Sequence, residues 1–463
     1  LDGSGAKRLA IVNPATEETF AEVSSATADE IGQAAEAGQA AFESGWRDMP
    51  PGERTRLLRN LAKRIHENVE TLAQLETRNV GKPIGDARWE ADAGAKVFDY
   101  YAGAIGHLCG QTIPVARGGF DFTLRQPMGV IAAITPWNFP FLIACWKVAP
   151  ALAAGNSVVL KPASLTPLTA LMLGQLAQEA GLPDGVLQVV PGSGSEAGNA
   201  LATHPLVRKI GFTGSTEVGA TIMKLAADDI KRVSLELGGK SPNIVFADAD
   251  WQRAAAESPM SVFANTGQDC CARSRMFIEQ SVFDGFVDQF VAATESLKIG
   301  NPMDEATQVG PMVSAPQREL SESYIAGARD AGREIRTGGD RPNGGGFYLN
   351  PAVVTGVETE DRAWREEIFG PVVCLRPFTD ETEMLREVND TNFGLSGSVW
   401  SNDLSRALRV ARQVESGVIS INSHSSVHTE APFGGFKRSG LGRDLGMSAM
   451  EACTEVKNIY VGE

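Results

Sequence analysis

From Gly129 to Thr213 the chain alternates short apolar runs with helix-forming stretches. V-I-A-A-I-T is followed by a helix through Trp146 to Ala153, S-V-V-L-K by a helix from Pro167 to Ala180, and further runs stand at Gly185 to Val190 and Val207 to Thr213. Apolar runs without polar alternation must be covered on both faces, and strands alternating with helices build the crossover units of a parallel sheet. The expected class is therefore α/β. Open sheets of this kind bind ligands beyond the carboxyl ends of their strands, where Thr135 to Asn138, Lys161 and Thr213 to Ser215 fall.

A chain of 463 residues exceeds what one core normally holds, and a second α/β unit begins after Gly238. P-N-I-V-F reads as a strand, Asp250 to Ala264 as a helix, R-M-F-I-E-Q as a strand and Val282 to Leu297 as a helix, with P-V-V-C-L and V-I-S-I-N further on. Ahead of both units, Asn13 to Thr27 holds a short strand. Ala28 to about Val80 carries apolar residues at three- and four-residue steps, broken at Pro50-Pro51-Gly52, and a third helix covers Asp86 to Gly103. These read as packing helices with no chemistry. Between Cys109 and Pro127, T-I-P-V-A and F-D-F-T-L flank R-G-G, a hairpin signal.

Composition closes off several functions. The net charge of −15 lacks the basic footprint that nucleic acid requires, and no apolar run approaches the roughly 18 residues of a membrane helix. The six cysteines, Cys109, Cys145, Cys270, Cys271, Cys374 and Cys453, show neither C-x-x-C spacing nor a cysteine and histidine cluster, so no metal is expected. Without a visible secretory signal, the reducing cytoplasm is the expected compartment.

Chemistry points to Asn265 to Arg275, N-T-G-Q-D-C-C-A-R-S-R, where two thiols stand in a polar, glycine-containing stretch with Arg273 and Arg275 close in sequence. A cysteine pair in an arbitrary chain is more often a pair of small buried hydrophobes. Four further stretches change that reading: I-T-P-W-N-F-P (Ile134 to Pro140), L-K-P-A (Leu160 to Ala163), E-L-G-G-K (Glu236 to Lys240) and E-E-I-F-G-P (Glu366 to Pro371). With these motifs in order over almost its whole length, the sequence resembles the aldehyde dehydrogenase superfamily.

That resemblance implies a Rossmann-like cofactor domain (residues 1–108 and 128–238), an α/β catalytic domain (239–440) and a small β-hairpin oligomerisation element (109–127 and 441–463) that builds a homodimer or homotetramer. It implies NAD or NADP as cofactor and Cys270, two residues after the glutamine of G-Q-x-C, as nucleophile. Asn138 and the Cys270 N–H would hold the oxyanion, and Glu236 would activate the water that opens a thioester. Lys161 and Glu367 would hold the adenosine and nicotinamide riboses, and Ser215 the pyrophosphate, at a helix start that offers free amides. Thr135, Trp137, Ser164, Gly214, Gly238 and Phe369 complete the cofactor set.

The implied reaction is oxidation of an aldehyde to an acid. An acyl-transferring, coenzyme A-dependent relative and a silent structural protein on the same fold compete with it; Glu236 speaks against the first, and the joint presence of Cys270, Asn138 and Glu236 against the second. Phe139, Trp146 and Phe433 read as an aromatic funnel. Asp269 beside the nucleophile favours a cationic or polar aldehyde such as an aminoaldehyde. Trp146-Lys147 replaces the arginine that carboxylate-binding members carry next to that lysine, which disfavours an acidic tail. Ser164 stands where many members carry a glutamate that repels a 2′-phosphate, so NADP is expected to be used at least as well as NAD.

Overall fold

The computed structural model describes residues 7–425 and 427–462. Two sheets dominate it. The first runs Gly440–Leu441, Arg232–Glu236, Val207–Thr213, Val130–Ile134, Ser157–Lys161, Leu187–Val189, parallel except for Gly440–Leu441 at its edge. Chain order moves outward from Val130–Ile134 on one side and then restarts beside it at Val207–Thr213. The topological switch therefore lies between the ends Ile134 and Thr213, where a ligand crevice forms.

The second sheet has seven strands in the order Glu334–Thr337, Ala352–Thr355, Val372–Phe378, Arg275–Glu279, Pro242–Val245, Ser396–Trp400, Val418–Ile421. Only the edge strand Glu334–Thr337 is antiparallel. The α/β expectation holds for both units.

Helix Pro140–Ala153 is buried at every position, which suits a sequence apolar all round. It packs between the first sheet and helix Ile84–Ala104. The single cation it carries, Lys147, is paired with Asp444 at 2.9 Å.

The expected hairpin forms only in part. Thr112 and Ile113 pair with Phe122 and Asp121, and Pro114, which has no N–H to donate, ends that ladder. The main partner of Phe120–Pro127 is the C-terminal strand Thr454–Val461, antiparallel over eight pairs, in the stretch expected to join it. Phe120, Leu124, Val456 and Tyr460 on this three-stranded sheet are exposed. No helix among the described residues is long and apolar enough to cross a membrane.

Beneath the helical layer lies a charged cluster. Lys82 pairs with Glu90, whose other oxygen accepts from the Leu142 N–H at 3.1 Å. Neither oxygen of the buried Glu76 has a hydrogen-bond partner. Burial, and next the Glu90 carboxylate, raise the Glu76 carboxyl well above its ordinary 4.5. A raised folded-state value gives stability that is complete below the unfolded value and is lost as pH rises through the folded one. Glu76→Gln should therefore match the parent in thermal unfolding near pH 4.5 and gain on it progressively as pH rises. A gap that stays constant from about pH 5 to about pH 9 would show that Glu76 carries no such cost.

Candidate active site

Helix Trp251–Phe263, capped by the Asp250 carboxylate on the Arg253 N–H (3.2 Å), delivers the chain to a turn in which Asn265, Thr266 and Gly267 have φ of 49°, 59° and 71°. A β-branched threonine resists that region, so it persists only where its surroundings hold it. Thr266 Oγ1 donates to Gly310 O at 2.9 Å, and Asn265 Nδ2 donates to Asn138 O at 3.0 Å. A Cβ on Gly267 would lie 2.2 Å from Gly370 O, so only glycine fits. The fully buried Gln268 donates to Asn265 O (3.0 Å) and accepts from the Val313 N–H (2.9 Å). Asn138 Nδ2 donates to Gln268 O at 2.9 Å, joining the loop after Ile134 to the one that carries Cys270.

Two cavities border Cys270. The larger, about 750 Å³, lies at the carboxyl ends of the first sheet and is lined by Thr135, Trp137, Asn138, Lys161, Ser164, Gly214, Ser215, Gly238, Glu367 and Phe369. Every residue assigned to the cofactor thus comes together there. The smaller, about 290 Å³, is lined by Glu236, Phe139, Trp146, Asp269 and Phe433. Trp146 and Phe433 meet edge-on at 5.4 Å.

The wall residues that the sequence reading missed include four polar or aromatic ones. Gln317 lines the larger cavity and donates to Phe369 O at 2.9 Å; Lys82, Asp86 and Trp89 line the smaller. Helix Ile84–Ala104, read as packing only, therefore also contributes to the site. A tryptophan among small and charged residues, D-A-R-W-E-A-D at 86–92, was the available signal, though it does not say which way the helix faces.

Glycines explain how the acids approach. A Cβ on Gly238 would lie 2.2 Å from Glu367 Oε2, one on Gly239 2.3 Å from Cys270 O, and one on Gly434 2.6 Å from Glu236 Oε1. The Gly239 N–H donates to Glu367 Oε1 at 2.9 Å, yet burial still pushes the Glu367 carboxyl up to about 7. Both Glu236 oxygens lack a hydrogen-bond partner. Burial, then the Asp444 carboxylate, hold Glu236 well above the ordinary range, against the pull of Lys147 and Arg443.

The Cys270 thiol is raised by its hydrogen bond with the Cys271 thiol and then by burial. Of the two arginines close to it in sequence, only Arg273 stays beside the thiols. Arg273 donates to Ser398 Oγ (2.8 Å) and to Cys271 O, but Arg275 points into the second sheet's core, donating to Lys240 O and Val388 O.

Around the Lys161 end, Lys161 Nζ donates to Pro162 O (2.8 Å) and Gly192 O (3.0 Å), and Ser164 Oγ donates to the same Gly192 O (3.0 Å). Burial pulls the Lys161 ammonium down to about 8. Ser215 caps helix Thr216–Ala227 by accepting from the Val218 N–H at 3.3 Å, and that helix start faces the larger cavity.

The profile of the Aldehyde dehydrogenase family matches residues 1–459. The chain belongs to that family. It is similar to betaine aldehyde dehydrogenase 1 of Oryza sativa subsp. japonica, 43% identical over 98% of this chain and 92% of the relative. Phenylacetaldehyde dehydrogenase of Pseudomonas fluorescens is 42% identical over 98% and 93%. Among solved structures, the NAD+ complex of the Bacillus cereus aldehyde dehydrogenase superposes with a TM-score of 0.97, at 40% identity, over 98% of this chain and 93% of that one. This protein is an NAD(P)-dependent aldehyde dehydrogenase. Its larger cavity fits such a cofactor: the start of helix Thr216–Ala227 opens onto it, where backbone amides can hold phosphate, and Lys161 and Glu367 line the same space.

Proposed function

We propose that the dehydrogenase oxidises a non-acidic aldehyde, an aminoaldehyde by preference, to its carboxylic acid through a covalent thioester on Cys270. The observation that carries this reading is that Cys270 borders both cavities while Glu236, with both oxygens unpartnered, opens onto the smaller one. Cys270 gives up its thiol proton to solvent, and the thiolate Sγ adds to the aldehyde carbon. The Cys270 N–H and the second amide hydrogen of Asn138 steady the resulting oxyanion; in a comparable protease hole one donor is worth about 3 to 4 kcal/mol. NAD(P), when bound, supplies the hydride acceptor. Glu236 then takes a proton from water, which attacks the thioester and releases the acid; a coenzyme A-dependent relative would not need that base.

In the cofactor site, Lys161 and Ser164 would hold the adenosine ribose, Ser215 and the helix start behind Gly214 the pyrophosphate, and Glu367 beside Gly238 the nicotinamide ribose. Thr135, Trp137 and Phe369 wall the cleft, Trp137 meeting Phe369 edge-on at 5.2 Å. We assign residues 1–108 and 128–238 to cofactor binding, 239–440 to catalysis, and 109–127 with 441–463 to assembly into a homodimer or homotetramer. The exposed apolar residues of the three-stranded sheet support the last assignment.

The two relatives are about equally similar and are named for a cationic and an aromatic aldehyde, so identity does not choose between them. The wall of the smaller cavity supports the cationic one. Asp86 and Asp269 place two carboxylates among Trp89, Trp146 and Phe433, a setting that attracts a cation, while Lys82 is committed to Glu90 and to the face of Phe139. In a panel of amino, aliphatic, aromatic and carboxylate aldehydes, the amino compounds should show the highest kcat/KM and the carboxylates the lowest. The reverse order would overturn the substrate class.

We propose further that NADP serves at least as well as NAD. Ser164 puts no carboxylate near the adenosine ribose, and it can turn its hydroxyl from Gly192 O to a phosphate. Ser164→Glu should swing the kcat/KM ratio towards NAD by about tenfold, or about 1.4 kcal/mol. With Lys161 pulled to about 8, the parent's use of NADP should weaken relative to NAD as pH rises through that value. An unchanged ratio in the variant refutes the argument.

A further inference from the structure

Asp269, Cys270 and Cys271 bring one carboxylate oxygen and two sulfurs within 4.8 Å of one another. Three consecutive residues can do this because the chain turns on itself. The Ala272 N–H donates to Asp269 O at 3.0 Å and the Cys271 N–H to Asp269 Oδ1 at 2.8 Å. Tetrahedral zinc, with Zn–S near 2.3 Å and Zn–O near 2.1 Å, sets its ligand atoms about 3.6 to 3.8 Å apart. The three donors need to close by about an ångström at most.

We propose that these residues form a site for a soft divalent cation, Zn²⁺ or Cd²⁺, that switches the dehydrogenase off by occupying its nucleophile. Two sulfurs select such ions over Mg²⁺ or Ca²⁺. A third cavity of about 390 Å³, lined by Glu257, Asp269, Cys271, Arg273 and His424, borders the cluster. It gives the ion an approach other than the aldehyde cavity and leaves room for water as the fourth ligand. Arg273 does not block the site, because its guanidinium is committed to Ser398 Oγ and Cys271 O. On binding, two metal–sulfur bonds and one metal–oxygen bond form, both thiols release their protons to solvent, and no electrons move. The Cys270 electron pair that would attack the aldehyde is then held by the metal.

The full-length enzyme, freed of metal, should lose activity on titration with Zn²⁺, with one ion bound per subunit, and recover it with EDTA. Measured against its own metal-free rate, Cys271→Ser should need about tenfold more Zn²⁺ for half inhibition. Co²⁺ gives a readout independent of turnover: a thiolate-to-cobalt charge-transfer band should appear in the parent and weaken in both Cys270→Ser and Cys271→Ser. The proposal is overturned if Cys271→Ser is as sensitive to Zn²⁺ as the parent, or if Co²⁺ binds without that band.

Discussion

Cys270→Ser should lose aldehyde oxidation by about 10⁴-fold or more, the scale on which removing a protease nucleophile acts, while Cys271→Ser keeps most of it. The two thiols are neighbours in sequence but not in surroundings. Cys270 borders both the cofactor-sized and the aldehyde-sized cavity, whereas Cys271 borders the aldehyde cavity and the side cavity only. A hydroxyl at position 270 keeps shape and volume but is far less acidic than a thiol, so it stays protonated and does not add. NAD(P) affinity, measured by fluorescence titration, should change little in either variant. Equal losses in the two serine variants would show that the assignment is off by one residue.

The second large effect is expected at Glu236→Gln. The amide fits the space beside Gly434 that the carboxylate occupies, so the fold should survive, but it cannot accept a proton from water. On the proposed mechanism addition and hydride transfer do not use Glu236, and the thioester that follows would wait for a base. Reduced cofactor should appear in a burst of at most one per subunit and then at a steady rate lower by about 10² to 10³-fold, the usual worth of a general base. In the parent, Glu236 is held well above the ordinary carboxylate range and serves as base only when ionised, so thioester hydrolysis should speed up as pH rises through its titration. Loss of the burst together with the steady rate would move Glu236 to an earlier step.

Much of the first sheet was legible because its strands are short and apolar and its helices carry a clear repeat; the expected helix from Pro167 to Ala180, for instance, spans Leu168–Glu179. Residues 298–365 gave no such signal. Helix Ala315–Asp330 is mostly polar, and strands Glu334–Thr337 and Ala352–Thr355 flank a glycine-rich loop, so periodicity carried little contrast. That silence hid Gln317. Trp89 and Asp86 were hidden differently: they lie on a helix whose remaining faces do pack, and only the tertiary fold shows which side turns to the cavity. Arg275 was misplaced because alternation along a strand sends it away from Cys270. Proximity in sequence could not reveal that.

The central claim is that the acyl group rests on Cys270 and leaves through Glu236. Glu236→Gln enzyme, mixed with aldehyde and NAD(P), quenched in acid and digested, can be read directly by peptide mass spectrometry. An acyl adduct on Cys270, in an amount equal to the burst of reduced cofactor and absent when Cys270→Ser is added to the variant, is the predicted result. An adduct on Cys271, or a burst with no adduct on either thiol, would contradict the account.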